Sequence, residues 1–197
     1  MITRARIFVD YWNFQLNWNE RSNEARCDWL ALPNALLDAA EELTGREDVA
    51  LDGLHIYASV DPANETLVNW LETVLDRQPG FLVSTARMLR RQRPVRCSAC
   101  GAEEESCPRC GEAYTVALTK GLTTRMVCDV LGFALGGASD ISILVTSDSE
   151  LAPALRTLRD RGHLAIHAGW KESGLELVRE AWATIELDQL AGGLVRS

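Results

Sequence analysis

Short, unbroken apolar runs alternate with segments of helical periodicity over most of this chain. Alternation of that kind marks an α/β protein whose mainly parallel sheet is covered by helices on both faces. The runs predict strands at about 6–10, 55–60, 81–84, 141–146 and 163–168, with 184–187 as a last edge strand. Patterns of period 3.6 predict helices at about 30–43, 65–76, 120–135, 150–160 and 175–182. Gly136-Gly137 supplies the stop signal for the helix that opens near Lys120. Neither period holds across residues 94–116, which read as a small insert within a single domain spanning 1–197.

Composition narrows the function classes. A folded chain of this mass exposes roughly 9,300 Å² and buries roughly 70% of its unfolded surface, so no metal or disulfide is needed to make it fold. With 28 acidic and 20 basic residues the formal charge is −8, which excludes a histone-like or polybasic binder. No apolar run approaches the roughly 20 residues of a membrane span. The first residues lead directly into Ile7-Phe8-Val9 without a signal-peptide pattern, and the expectation is a soluble, cytoplasmic protein. Six cysteines fit that compartment: four form two C-x-x-C pairs, and Cys27 and Cys128 stand alone.

Chemistry enters at the strand ends. In open parallel sheets, ligands bind beyond the carboxyl ends of the strands. Here one predicted strand ends in Asp10 and another in Asp148, with Glu150 two residues on. Asp129 falls at the margin of an apolar helical stripe, where a carboxylate needs a partner. A divalent cation shared by Asp10, Asp129 and Asp148 would be one such partner, and Mg²⁺ or Mn²⁺ suits carboxylates and phosphate. The plainer reading makes Asp148 a helix N-cap, Glu150 a dipole partner and Asp10 a turn former. Asn13 is placed to orient a ligand carboxylate or a phosphate. Neither G-x-G-x-x-G nor G-x-x-x-x-G-K-[ST] occurs, and His55, His163 and His167 read as packed or surface residues.

Two further features lie between the third strand and Lys120. Cys97-Ser98-Ala99-Cys100-Gly101 and Cys107-Pro108-Arg109-Cys110-Gly111 are paired C-x-x-C-G units that point to a closed four-thiolate structural Zn²⁺ site, ahead of free thiols or bound iron, although the gap between the pairs is shorter than the usual roughly 15–20 residues. Residues 84–96 carry Arg87, Arg90, Arg91, Arg93 and Arg96 and no acid, a run suited to tracking a phosphate backbone or docking a protein. Trp12 or Tyr114 would be available to stack a base.

Three segments recur in an order that resembles a known family. They are Val9-Asp10-Tyr11-Trp12-Asn13, then Lys120-Gly121 opening the helix that carries Asp129, then Val145-Thr146-Ser147-Asp148-Ser149-Glu150-Leu151-Ala152-Pro153. Together they resemble the NYN domain, of the PIN-like nuclease group that includes the LabA-like bacterial proteins. The resemblance implies a PIN-like, Rossmannoid three-layer fold with strand order 3-2-1-4-5. It also implies Mg²⁺- or Mn²⁺-dependent endonucleolytic cleavage of RNA, single-stranded or structured. Carried over by position, Asp10, Asp129, Asp148 and Glu150 are the implied metal-holding acids and Asn13 the polar residue of the first motif. Lys120 is a candidate to neutralise the scissile phosphate. Thr123 stands where the family usually has an acid, which motivates the alternative of a catalytically weakened domain that binds RNA or a protein partner; a homo-oligomer is compatible with either.

Overall fold

A computed structural model describes residues 2–196. In chain order the elements are β1 (Thr3–Asp10), α1 (Tyr11–Arg21), α2 (Leu32–Thr44), β2 (Val49–Val60) and α3 (Glu65–Trp70), which runs on through a π-helical turn, Leu71–Leu75. Then come β3 (Phe81–Arg87), β4 (Leu89–Gln92), β5 (Val95–Arg96), β6 (Glu103–Glu104), β7 (Thr115–Leu118), α4 (Leu122–Leu135) and β8 (Ile141–Val145). A 3-10 turn, Ser149–Leu151, leads into α5 (Ala152–Arg159), followed by β9 (Leu164–Gly169), α6 (Leu175–Glu180), β10 (Ala183–Glu186) and α7 (Leu187–Leu190).

The main sheet has six strands in the order β10-β9-β8-β1-β2-β3, and every neighbouring pair is parallel. Side-chain alternation along its strands builds two cores. Ile7, Val9, Ile56 and Ile143 face α1 and α2 with Trp18, Leu32 and Leu36. Phe8, Tyr57 and Leu144 face α4 and α5 with Met126, Val130 and Leu155. The sheet is therefore the middle of three layers, and all its carboxyl ends lie along one edge.

α1 is an element the hydrophobic pattern did not announce. Polar Asn13, Gln15, Asn17 and Asn19 dilute its periodicity, yet Tyr11, Phe14 and Trp18 fall on one face and are buried. Tertiary burial, not propensity, makes it a helix. α2 matches expectation closely: Pro33 sits in its first turn and Gly45, at φ +64°, closes it in the left-handed conformation.

The arginine run is not irregular. β3 continues to Arg87, and the chain then leaves the body as an antiparallel ribbon in which β4 pairs with β7, Leu89 opposite Leu118 and Gln92 opposite Thr115. β5 pairs with β6 beyond it, and Ser106 bridges Ala113. Residues 89–100 are exposed throughout. The total accessible surface of 11,343 Å² exceeds the roughly 9,300 Å² expected for a compact chain, and this ribbon accounts for the direction of the excess. Among the described residues no helix is long and apolar enough to cross a membrane.

Candidate functional site

β1 and β8 are adjacent, with Val9 opposite Val145. Each strand is followed by a helical segment capped by an aspartate of similar backbone conformation, Asp10 directly at the end of β1 and Asp148 three residues beyond β8. Asp10 has φ −76°, ψ 105° and accepts from the Asn13 backbone N–H through Oδ1 at 3.2 Å. Asp148 has φ −75°, ψ 112° and accepts from the Glu150 backbone N–H through Oδ1 at 3.0 Å. Capping, the plainer reading of these residues, is thus real for both. It also delivers two carboxylates side by side to the carboxyl edge of the sheet.

Their proximity has an electrostatic cost. Burial, and then the nearby Asp148 charge, push the Asp10 carboxyl above its ordinary value, against the pull of the Asn13 and Trp12 N–H groups. A half-buried carboxylate repelled by a second one is a position that gains from a cation or a proton. Asn13 joins the two motifs directly: its side-chain Oδ1 accepts the Ser147 N–H at 2.8 Å. The Thr146 hydroxyl accepts the Asp148 N–H at 3.1 Å. Asn13 is therefore a brace between the β1 and β8 turns, and its carbonyl oxygen is already occupied.

A cavity of about 280 Å³ opens beside Asp10. Glu150, Trp12, Thr119, Thr123 and Thr124 share its wall. Below it, a recess of about 20 Å³ is lined by Asp10, Tyr57, Thr123 and Leu151. Thr119, Thr123 and Thr124 flank Gly121, whose φ of +78° turns the chain from β7 into α4. Their only sequence signal was the run Thr119-Lys120-Gly121-Leu122-Thr123-Thr124. Lys120 is exposed at that turn and does not line the cavity.

Asp129 does not join the cluster. It lies six residues beyond Thr123, about 9 Å along α4 at 1.5 Å per residue. Its partner is the Tyr57 hydroxyl, which donates to Oδ2 at 2.8 Å, with the Arg125 guanidinium 3.8 Å away one turn back. Burial and this hydrogen bond raise the Tyr57 phenol far above its usual range. The half-turned carboxylate needs a partner, as its position implies, and a phenol and a guanidinium are the partners beside it. Among the described residues no three His, Cys, Asp or Glu side chains converge as a metal-holding group.

The histidines pack. His167 is fully buried with Nε2 2.8 Å from the Thr146 carbonyl. His55 stacks on Phe8 at 5.1 Å, and His163 lies 2.9 Å from the Ser142 hydroxyl.

In the ribbon, each C-x-x-C-G unit forms the same tight turn. Gly101 N–H bonds Cys97 O and Gly111 N–H bonds Cys107 O, at 2.9 and 2.8 Å. The glycines take φ of +76° and +74°, values a β-carbon disfavours. Backbone N–H groups of Cys100 and Ala99 point at the Cys97 thiol, and those of Cys110 and Arg109 at the Cys107 thiol, lowering both below the ordinary thiol value. Each pair is assembled, but the four thiols are not gathered into one group. All six cysteines are unbridged.

The arginines divide. Arg90 binds Asp61 through Nε and Nη2 at 3.2 and 3.0 Å, so it is partly engaged. Arg87 lies beside that pair, Arg91 and Arg93 are exposed on the ribbon, and Arg96 lies near Gly101 of the first cysteine turn.

No protein-family model matches this chain, and no curated protein does. Among solved structures it is similar to a crystal structure of a protein of unknown function from Vibrio parahaemolyticus. The match covers 94% of this chain and 93% of that one, at 16% identity and a TM-score of 0.56. That likeness establishes a shared fold.

Proposed function

We propose that this protein is a metal-dependent endoribonuclease of the NYN, PIN-like kind, acting in a reducing, cytoplasmic setting. The observation that carries the proposal is the nearness of two aspartates, Asp10 at the end of β1 and Asp148 three residues beyond the neighbouring β8, with Asp10 and Glu150 lining one cavity. Mg²⁺ typically takes one or two protein carboxylates and fills its remaining positions with water and substrate phosphate. Two neighbouring aspartates, both half-buried and one repelled by the other, fit that demand without a third converging ligand. Bound there, a divalent cation would activate a water and offset charge on the phosphate.

The chain's own residues supply the rest. Asn13 fixes the spacing of the two aspartates through its bond to Ser147. Glu150, on the cavity wall, is the group placed to orient an attacking water or take its proton. Lys120, Arg87 at the end of β3 and the ribbon arginines Arg91, Arg93 and Arg96 would give the phosphate backbone a basic approach in an otherwise acidic molecule. Asp10→Asn and Asp148→Asn are each expected to abolish Mn²⁺-dependent cleavage of single-stranded and structured RNA while leaving the fold intact. Undiminished cleavage by both variants would refute the assignment.

A structural Zn²⁺ held by Cys97, Cys100, Cys107 and Cys110 completes this reading. Each turn brings two thiols together and lowers one of them through backbone N–H groups, and the exposed ribbon has no core of its own to hold the pairs together. Binding would draw the pairs into one tetrahedron. Elemental analysis of the purified protein is expected to give one zinc per chain, and Cys107→Ser to lose it.

A weakened catalyst that chiefly binds RNA is the second reading, favoured by Thr123 on the cavity wall in place of a carboxylate. Tight RNA binding without cleavage in Mg²⁺ or Mn²⁺ would select it.

A further inference from the structure

On the far side of Trp12 from the acidic cavity lies a second, larger groove of about 610 Å³. Its floor is a cluster of four aromatic rings. Tyr11 stacks on Trp29 at 5.4 Å with an interplanar angle of 20°, and both are nearly buried. Trp12 meets Tyr11 edge-on at 5.1 Å and Trp70 meets Trp29 edge-on at 6.0 Å. Trp12 and Trp70 are only half-buried, so the cluster is open to solvent through them. Trp12 is held by its indole N–H, which donates to the Ser59 carbonyl at 2.6 Å.

The groove's charge runs against that of the molecule. Arg26 and Arg196 line it, the side-chain amides of Gln15, Asn19 and Asn64 join them, and among the described residues no carboxylate does, in a chain whose net charge is −8. An apolar peptide would need no guanidinium here. Stacked bases with their phosphates need both, and every base offers a face to an aromatic ring. The groove is also continuous with the rest of the proposed RNA path. Trp12 forms part of both cavities, and Asn64 at its other end follows Ala63, which borders the Arg87–Arg90 surface.

We propose that this groove is a base-stacking subsite that holds single-stranded RNA beside the acidic cavity, with Trp12 and Trp70 as stacking faces and Arg26 and Arg196 on the phosphates. The inference rests on the ribonuclease reading of the neighbouring site, and its test is separable from that reading.

The test is binding of a fluorescently labelled uridine 12-mer in buffer without Mg²⁺ or Mn²⁺ and without chelator, which leaves the proposed zinc in place, followed by anisotropy. Trp70→Ala is expected to weaken binding by about tenfold, the loss of one stacked base. Arg26 is exposed, so Arg26→Ala leaves the fold undisturbed and guards against a folding artefact at Trp70. It is expected to weaken binding and to flatten the slope of log K against log salt by about 0.7, one phosphate contact on a single strand. Wild-type binding by both variants, or no binding by the wild-type protein, would overturn the inference. If RNA cleavage requires Asp10 yet both variants bind normally, the groove assignment alone fails. If both variants bind weakly while Asp10→Asn cleaves normally, the nuclease assignment fails and the groove stands.

Discussion

Asn13→Ala tests whether the two aspartate turns are mechanically joined. The substitution removes the acceptor that the Ser147 N–H uses at 2.8 Å. It spares the two other bonds at this residue, because the Asn13 N–H to Asp10 and the Asn17 amide to the Asn13 carbonyl involve only the Asn13 backbone. Leaving a buried donor unpaired costs about 1–3 kcal/mol, and Ser147 is half-buried, so water recovers part of it. Alanine returns about 0.5 kcal/mol in helix propensity inside α1. A net loss of about 0.5–1.5 kcal/mol follows, or about 1–6 °C in Tm for a chain of this size. Asp148 follows Ser147 directly, so its carboxylate loses its fixed distance from Asp10 and Mn²⁺-dependent cleavage should fall further than stability does. Thermal unfolding by circular dichroism, paired with a cleavage assay at a temperature where both proteins are folded, reads the two effects separately. An Asn13→Ala protein with wild-type Tm and wild-type cleavage would show that the brace positions nothing.

Asp10→Asn should stabilise the metal-free protein while abolishing activity, since asparagine caps a helix as well as aspartate does. Relief of burial and of repulsion by Asp148 is expected to gain about 0.5–2 kcal/mol at neutral pH. The folded carboxyl lies above its unfolded value, so wild-type stability declines relative to the variant as pH rises from about 4, and the two should converge below it; parallel pH profiles would contradict this. His55 behaves in the opposite sense. Burial, with the Arg6 guanidinium beside it, pushes the ring down to about 4, and because Arg6 can only donate, Nε2 at 2.9 Å must be the bare acceptor. Stability is then lost as pH falls from about 6.5 towards 4, by about 1–3 kcal/mol after allowing for partial solvent access. His55→Phe, packed against Phe8 and Phe133, should flatten that limb of the denaturant-unfolding profile.

The parallel α/β layering was legible in the chain because strands buried on both faces leave uninterrupted apolar runs. Ile141–Val145, buried at every position, is the clearest case. α1 was not legible, because its helicity comes from Tyr11, Phe14 and Trp18 meeting Trp29 and Trp170 across the fold. At the site, Asp10 and Asp148 stood out as acids at or just past strand ends, but the Asn13 brace between their turns depends on β1 and β8 being neighbours. Asp129 shows the limit of a helical wheel: its angular position correctly implied a partner, whereas the partner's identity lay in Tyr57, on a strand distant in sequence. The ribbon was hidden for another reason. β4 and β7 alternate too weakly to announce themselves, and their pairing spans the whole cysteine segment. The aromatic groove draws on α1, α3 and the segment around Arg26, so no local window of sequence contains it.

The central claim is that the paired aspartates at the sheet's carboxyl edge hold a divalent cation. Crystals of the protein grown with Mn²⁺, measured for anomalous scattering at the manganese edge, address it directly. An anomalous peak contacting both Asp10 and Asp148, and lost in Asp10→Asn crystals, is the predicted result. Bound Mn²⁺ located elsewhere, or at Asp129 without Asp10, would contradict the account.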